Sequence, residues 1–375
     1  MKAYQRINHF PGMSEICKKD LLANNLKRMK KIMPGIFNFF PLTFCLPDEL
    51  RILYDYCRGR RKPDFFIIKP VKNCQGCGIY LIKGLDKSIK TYKNVVCQKY
   101  ISMPLLMQSF KMDLRLYVLI TSVCPLRVYI YNDGLVRLAT VPYKKPTSAN
   151  MHEKRMHLTN YAINRNSVGE ESTEECKKAL SDLEEYLVSL GFSTDHLWPT
   201  IDRIIVKTIL SALPVLQHMY HTCFPIASAV SPCFELLGFD ILLDDKIKPY
   251  LLEVNRSPSL GGTTSMDIHL KKGLLNNILD MVLLSPKQIN FIKDEEHLKA
   301  VRRLTNPSLT RHLTARERIL SEYHERQENQ MMGNFRKIYP VENNIYDDVL
   351  RAAFSFENQN KNESLRDSKT EKPVK

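Results

Sequence analysis

Apolar positions change their period several times along the chain, and each change marks an element. Between residues 13 and 33, Ile16, Leu21, Leu22, Leu26 and Met29 recur at a spacing that predicts an amphipathic helix capped near Ser14. Pro34, Gly35, Pro41 and Pro47 divide the next stretch into turns. Short apolar runs then read as strands: Phe65 to Pro70, Ile79 to Ile82, Val95 to Ile101 and Asp113 to Ile120. Arg127 to Ala139 is expected to form a hairpin turning at Asn132-Asp133-Gly134, residues that favour tight turns between strands. Helical spacing returns from about 173 to 190, ending at Gly191, and from about 200 to 220. Gly238 to Asp244 and Leu251 to Asn255 read as two strands joined by the polar turn Asp244-Asp245-Lys246. Lys271 to Leu284 is a further expected helix, stopped by Ser285-Pro286. Residues 296–331 are polar and helical in pattern, with Arg302, Arg303, Arg311, Arg316 and Arg318 among them. From near Asn358 the chain is charged and poor in apolar residues, a composition expected to stay disordered. No internal repeat is found.

Strand alternation gives the second strand pair its chemistry. Side chains two apart share a face, so Asp240, Glu253 and Asn255 are brought to one patch. Three oxygen donors on a rigid hairpin suit a hard cation such as Mg²⁺, which keeps part of its shell for waters and phosphates. Acidic residues in a turn ordinarily serve only solubility, and Asp244 and Asp245 are read that way. Lys69 ends a strand just before Cys74-Gln75-Gly76-Cys77-Gly78, where it could reach a phosphate while the glycines let backbone amides approach. A solvated strand-end lysine is the plain alternative. Gln98-Lys99-Tyr100-Ile101 ends a strand whose backbone could read an adenine edge, or is simply a strand end. Lys111, Asp113 and Arg115 put three charges on one face of a strand that otherwise reads as core, which is costly unless they are paired or bound. An internal ion pair accounts for two of them, a phosphate-bearing site for all three. Met156-His157-Leu158-Thr159-Asn160-Tyr161 gathers hydroxyl, amide and phenol groups, with a helix cap at Thr159 or Asn160 as the plain reading.

Composition narrows the class. At 375 residues, 44% apolar and 25% charged, the chain can hold two or three lobes around a large core. No apolar run has the length of a membrane span, and Met1-Lys2-Ala3-Tyr4-Gln5-Arg6 lacks a signal core, so a cytoplasmic protein is expected. Ten scattered cysteines are read as reduced thiols. Cys74-Gln75-Gly76-Cys77 matches C-x-x-C but has neither a second pair nor a thioredoxin-like context. The net charge of +15, from 55 Lys and Arg against 40 Asp and Glu, draws a polyanion: nucleic acid, acidic membrane or acidic protein. No zinc-finger or RNP-type motif speaks for nucleic acid.

Taken in order, the pieces resemble the tubulin tyrosine ligase-like enzymes, and among them the polyglutamylases. They are the Lys-Pro strand end at 69–70, Cys-Gln-Gly at 74–76, Gln-Lys-Tyr-Ile at 98–101, Lys-x-Asp-x-Arg at 111–115 and His-Leu-Thr-Asn-Tyr at 157–161. Gly-Phe-Asp-Ile-Leu-Leu-Asp at 238–244 and Leu-Glu-Val-Asn-Arg-Ser-Pro at 252–258 complete the set, and the resemblance runs from near Tyr4 to near Phe356. It implies an α+β, ATP-grasp fold with a basic helical C-terminal extension. The implied organisation is a partial N-terminal lobe over 1–60, central and C-terminal lobes over 61–285, a microtubule-binding extension over 286–345 and a mostly disordered tail over 346–375.

By the same resemblance, Lys69 would hold ATP phosphates, with Gln75 and Gly76 in the loop over them and Gln75 also facing the acceptor. Gln98, Lys99, Tyr100 and Ile101 would bind adenine, Lys111 and Asp113 the ribose and phosphates, and Thr159 and Asn160 the nucleotide. Asp240, Glu253 and Asn255 would bind Mg²⁺. Arg115, Arg137, Tyr161, Lys178 and Lys271 would steer the incoming amino acid or the reaction centre, Arg115 and Lys111 acting in catalysis. Arg256 would face the acceptor; close relatives often have His there, and Arg in place of Cys77, and the Gly261-Gly262-Thr263 stretch lacks an Asp often seen nearby. The implied reaction activates an acceptor carboxylate as an acylphosphate, which the amine of free L-glutamate then attacks. The implied partners are tubulin C-terminal tails and microtubules, with no nucleic acid or membrane, for a monomer at the cytoskeleton or a cilium or basal body. Part of the N-terminal lobe is expected to lie outside the chain. A non-catalytic microtubule-binding member and a glycine-adding ligase are the alternatives.

Overall fold

The computed structural model describes residues 2, 4–72, 76–85, 89, 92–160, 163, 176–224, 229–262, 264–305, 313 and 315–355. Its elements form two sheets with helices packed on them, a mixed α+β architecture. In the smaller sheet, β2 (Thr43–Leu46), β3 (Phe65–Pro70), β4 (Tyr80–Lys83) and β5 (Val95–Lys99) run antiparallel in the order β2-β5-β3-β4. Phe44, Phe66, Ile68 and Cys97 point from it into a compact core closed by Leu53 of α3 (Leu50–Arg58).

The larger sheet is built on β7 (Phe110–Val123), β8 (Leu126–Leu138) and β10 (Cys233–Leu243), with β1 (Ile7–Asn8) parallel to β10. Short β6 (Leu106–Met107) lies on β7 and β9 (Lys177–Ala179) on β8. On β10 lies β11 (Pro249–Arg256), and β12 (Phe335–Tyr339) lies on β8. The period of two in β7 divides its side chains cleanly. Leu116, Val118 and Ile120 face a core that includes Ile201, Ile205 and Ile209 of α6 (Leu197–Cys223). Tyr117 and Leu119 face Leu270, Leu274 and Ile278 of α7 (Ser265–Val282). Asp113 and Arg115 lie along the strand in step with Tyr117.

Several expectations change. The first amphipathic stretch is two helices, α1 (Ser14–Cys17) and α2 (Lys19–Ile32), because Lys18 is extended at φ −85° and ψ 131°. In one continuous helix, nine residues make about two and a half turns, which would put Leu22 opposite Met13. The break at Lys18 rephases the chain so that both bury in the same core.

Arg127 to Ala139 is not a hairpin. It is one strand, β8, paired along most of its length with the long β7. The register jumps between Leu116↔Gly134 and Val118↔Ile130, so the Asn-Asp-Gly signal makes a bulge. Gly134 is required there, since a Cβ would stand 2.6 Å from the Arg115 carbonyl oxygen. After the short helix α4 (Lys154–His157), the described part of the helix expected from 173 begins as strand β9 and becomes α5 (Leu180–Ser189). Helix α7 starts earlier than expected, where the Thr264 hydroxyl caps it by accepting from the Asp267 amide at 3.1 Å.

The polar stretch before β12 forms α8 (Pro286–Thr305) and α9 (Ala315–Gln330). Helix α9 is tied to the sheet by a buried carboxylate. Glu328 accepts from Arg127 Nε at 2.8 Å and Thr121 Oγ1 at 3.0 Å, and pairs with His324 at 3.3 Å. Burial pushes the Glu328 carboxyl up, but His324 and Arg127 outweigh it and hold it down at about 2. A depressed carboxylate contributes stability that is present above its ordinary unfolded value and lost as pH falls through the folded one. Wild type should therefore lose more unfolding free energy between pH 5 and 2 than Glu328→Gln, as chemical denaturation at each pH would show; parallel curves would contradict this.

Candidate active site

The charged residues meet because β10 runs between β7 and β11. Asp240 has Arg115 as its cross-strand partner on one side and Glu253 on the other. Across β7, Asp113 faces Arg137 on β8. Arg115 donates to both Asp240 oxygens, at 2.6 and 3.2 Å. Arg137 clamps Asp113 with bonds of 2.7 and 2.6 Å and stands 2.9 Å from Asp240 Oδ2. Thr159 donates to Asp113 at 2.7 Å. Burial alone would raise the Asp240 carboxyl; Arg115 and Arg137 reverse that and hold it far below the usual carboxylate range.

Asn255 joins the two acidic residues on β10 and β11. Its Nδ2 lies 3.2 Å from Asp240 Oδ2 and 3.3 Å from Glu253 Oε1. Donor atoms about 3 Å apart are what bonds of about 2.0–2.1 Å at right angles require, the geometry of Mg²⁺. A half-turn of the Asn255 amide would present its oxygen, completing a hard donor set. The residues present therefore fit a small divalent cation. Among the described residues no cluster of three His, Cys, Asp or Glu side chains forms, so an amide is part of this candidate.

Two buried lysines lie nearby. Lys69 donates to Gln98 Oε1 at 2.8 Å, and Gln98 donates in turn to Thr43 at 3.0 Å. Lys111 donates to the Tyr100 hydroxyl at 3.0 Å and the His157 carbonyl at 2.8 Å. Burial pushes Lys111 down to about 7, against the pull of Asp113 and with the push of Lys69. Lys69 is lowered by burial as well, with Glu253 opposing and Lys19 adding. Gly76, at φ +78°, sits so close to Asn160 and Ile163 that a Cβ would come within 2.5 Å of Ile163.

Not every expected residue joins the cluster. Lys99 points away to Asp64 at 3.1 Å, and the Lys99 and Tyr100 amides are spent on the Leu42 and Phe65 carbonyls. Ile101 follows the strand and is partly exposed. Arg256 is half exposed, with Nε 3.8 Å from the buried Glu235; burial pushes the Glu235 carboxyl up to about 7. Gln75 and Tyr161 lie outside the described residues.

Lys178 stands apart from this cluster. It is Lys177 that stands across from Arg137, is buried and binds Asp267 at 2.8 Å; Lys178 is next along β9, on its other face. Lys271 binds the same Asp267 at 2.8 Å and also the Gly261 carbonyl. A strand reading of 177–179 would have singled out Lys177 by alternation.

The model of the tubulin-tyrosine ligase family matches residues 1–290. The chain belongs to that family. It is 44% identical over 347 residues to tubulin polyglutamylase TTLL6 of Mus musculus, covering 91% of this chain and 42% of that protein. It is 43% identical to tubulin polyglutamylase TTLL13 of Homo sapiens, over 91% of this chain and 43% of that one. With tubulin polyglutamylase TTLL7 of Xenopus tropicalis the figures are 37%, 94% and 43%. The chain thus spans less than half the length of these curated relatives.

Proposed function

We propose that this member of the tubulin-tyrosine ligase family is an ATP-dependent ligase that adds glutamate to glutamate residues of tubulin C-terminal tails, on an ATP-grasp scaffold. The observation that carries this reading is the buried Arg115–Asp240–Arg137–Asp113 array beside Glu253 and Asn255, in a chain whose relatives are named as tubulin polyglutamylases. Such a ligase must bring an acidic acceptor, an acidic amino acid and a polyphosphate together, and the protein's task is to position them and offset their repulsion.

Lys69 and Lys111 supply ammonium groups that burial makes reluctant to stay charged; a bound polyphosphate favours their charged form. Gln98, Tyr100 and Ile101 would line an adenine slot, and Gly76, Thr159 and Asn160 would hold the nucleotide. Asp240, Glu253 and Asn255 would hold Mg²⁺, which would supply charge neutralisation at the transferred phosphoryl group. Arg115 would orient the acceptor carboxylate. Arg137, with Lys177 and Lys271 held together by Asp267, would receive the amino-acid substrate, and their positive charge favours glutamate over glycine. Arg256, at the exposed strand end, would meet the acceptor tail. Helix α8, with five Lys and Arg against three Asp and Glu, and the arginines of α9 would add microtubule contacts, placing the protein at the cytoskeleton.

Purified protein, ATP and microtubules should incorporate labelled glutamate in preference to labelled glycine, and raising the salt should weaken microtubule binding. Glycine incorporation would point to the glycine-adding alternative; microtubule binding without incorporation of either would point to the non-catalytic one.

A further inference from the structure

Glu253 is balanced differently from its neighbours. Asp240 is held by two arginines at 2.6 and 2.9 Å, and Asp113 by Arg137 at 2.6 Å. Among the described residues Glu253 has no arginine clamp of this kind: it acts on the Lys69 ammonium, and from the first residue of helix α2 Lys19 Nζ stands 3.9 Å from Glu253 Oε2. At that distance the two charges attract without a hydrogen bond, so the pair is loose and exchangeable where the arginine clamps are tight. Both side chains are largely covered, at 16% and 19% exposure, so the charges are only partly screened.

The aim of Lys19 follows from the backbone. Extended Lys18 resets the helix phase, Leu22 and Leu26 then anchor α2 in the core, and Lys19 is left facing β11. Lys19 and Lys69 line one narrow cavity together with Thr43, Gln98 and Leu251. Lys19 and Lys69 are close enough to repel each other, which is felt at Lys69 as a downward push on its ammonium.

We propose that Lys19 is a positioning residue of the reaction centre: the resident counter-ion of Glu253, competing with a divalent cation for that carboxylate while adding its charge to that of Lys69 on the polyphosphate side. The inference rests on the ligase reading above. It requires opposite signs for two ligands. Removing the charge takes a competitor from the cation and an attraction from the polyphosphate. A side chain that merely held α2 in place would weaken both.

The test compares wild type, Lys19→Met and Lys19→Arg in binding Mn²⁺ alone, read by electron paramagnetic resonance, and ATP in the presence of EDTA, read by calorimetry. Lys19→Met should bind Mn²⁺ more tightly and ATP more weakly, each by about 3–10-fold, the scale of one partly covered charge pair. Lys19→Arg should stay near wild type in both. Shifts of the same sign, or none, would overturn the role assigned to Lys19. Wild type that binds neither Mn²⁺ nor ATP would instead overturn the ligase reading, and this inference with it.

Discussion

Glu253→Gln is expected to abolish measurable glutamate transfer, a loss of at least about 10²–10³ in rate, while the folded state survives. The substitution keeps the shape of the side chain and removes one charge. What the fold asks of that charge is small: Glu253 meets Lys19 at 3.9 Å and the Asn255 amide at 3.3 Å, neither a tight bond. Asp240 keeps both arginines, and buried Lys69, whose charge Glu253 favours, keeps its bond to Gln98 at 2.8 Å. What the chemistry asks is large, because a neutral amide is a poorer ligand for a hard cation than a carboxylate. Turnover would therefore fall with little change in the unfolding midpoint. Near-normal transfer by this variant would remove Glu253, and with it the proposed metal set, from the mechanism.

The residues that could be read in advance are those placed by a period of two. Lys111, Asp113 and Arg115 fall on one face of a strand because alternation is local, and Asp240, Glu253 and Asn255 meet because a hairpin register follows from two short strands. What was not legible depends on partners distant in sequence. Asn132-Asp133-Gly134 signals a turn in isolation, but β7 is long enough to pair with both halves of β8, and the signal becomes a bulge. Residues 177–179 continue a helical pattern, yet they pair with β8, which sets Lys177 across from Arg137 and Lys178 across from Val136. Lys99 shares its segment with Gln98 and Tyr100, but alternation sends it to Asp64 on the far face. Lys19 carries no motif at all; only the break at Lys18 turns it toward Glu253. The roles of these side chains came from likeness to a family, whereas their meeting place could be argued from strand geometry.

Arg137→Met should have the opposite profile to Glu253→Gln, damaging fold and turnover together. Arg137 is nearly enclosed and serves two carboxylates at once, Asp113 through two bonds and Asp240 through a third contact. Methionine fills most of the space and leaves both acids short of a cation. Breaking one side of a buried pair typically costs about 3–5 kcal/mol, because the uncompensated charge stays behind. Here the loss is moderated by Thr159, which still donates to Asp113, and by Arg115, which still holds Asp240. Urea unfolding at neutral pH should therefore show a loss toward the lower end of that range. The sign of its pH dependence follows from the same electrostatics. With Arg137 gone, Asp240 takes up a proton more readily, and a neutral acid no longer needs the lost guanidinium. The gap between variant and wild type should close as pH falls into the acid range. A gap below about 1 kcal/mol at neutral pH, the worth of an exposed pair, would mean that Arg137 is no more than a surface partner for these acids.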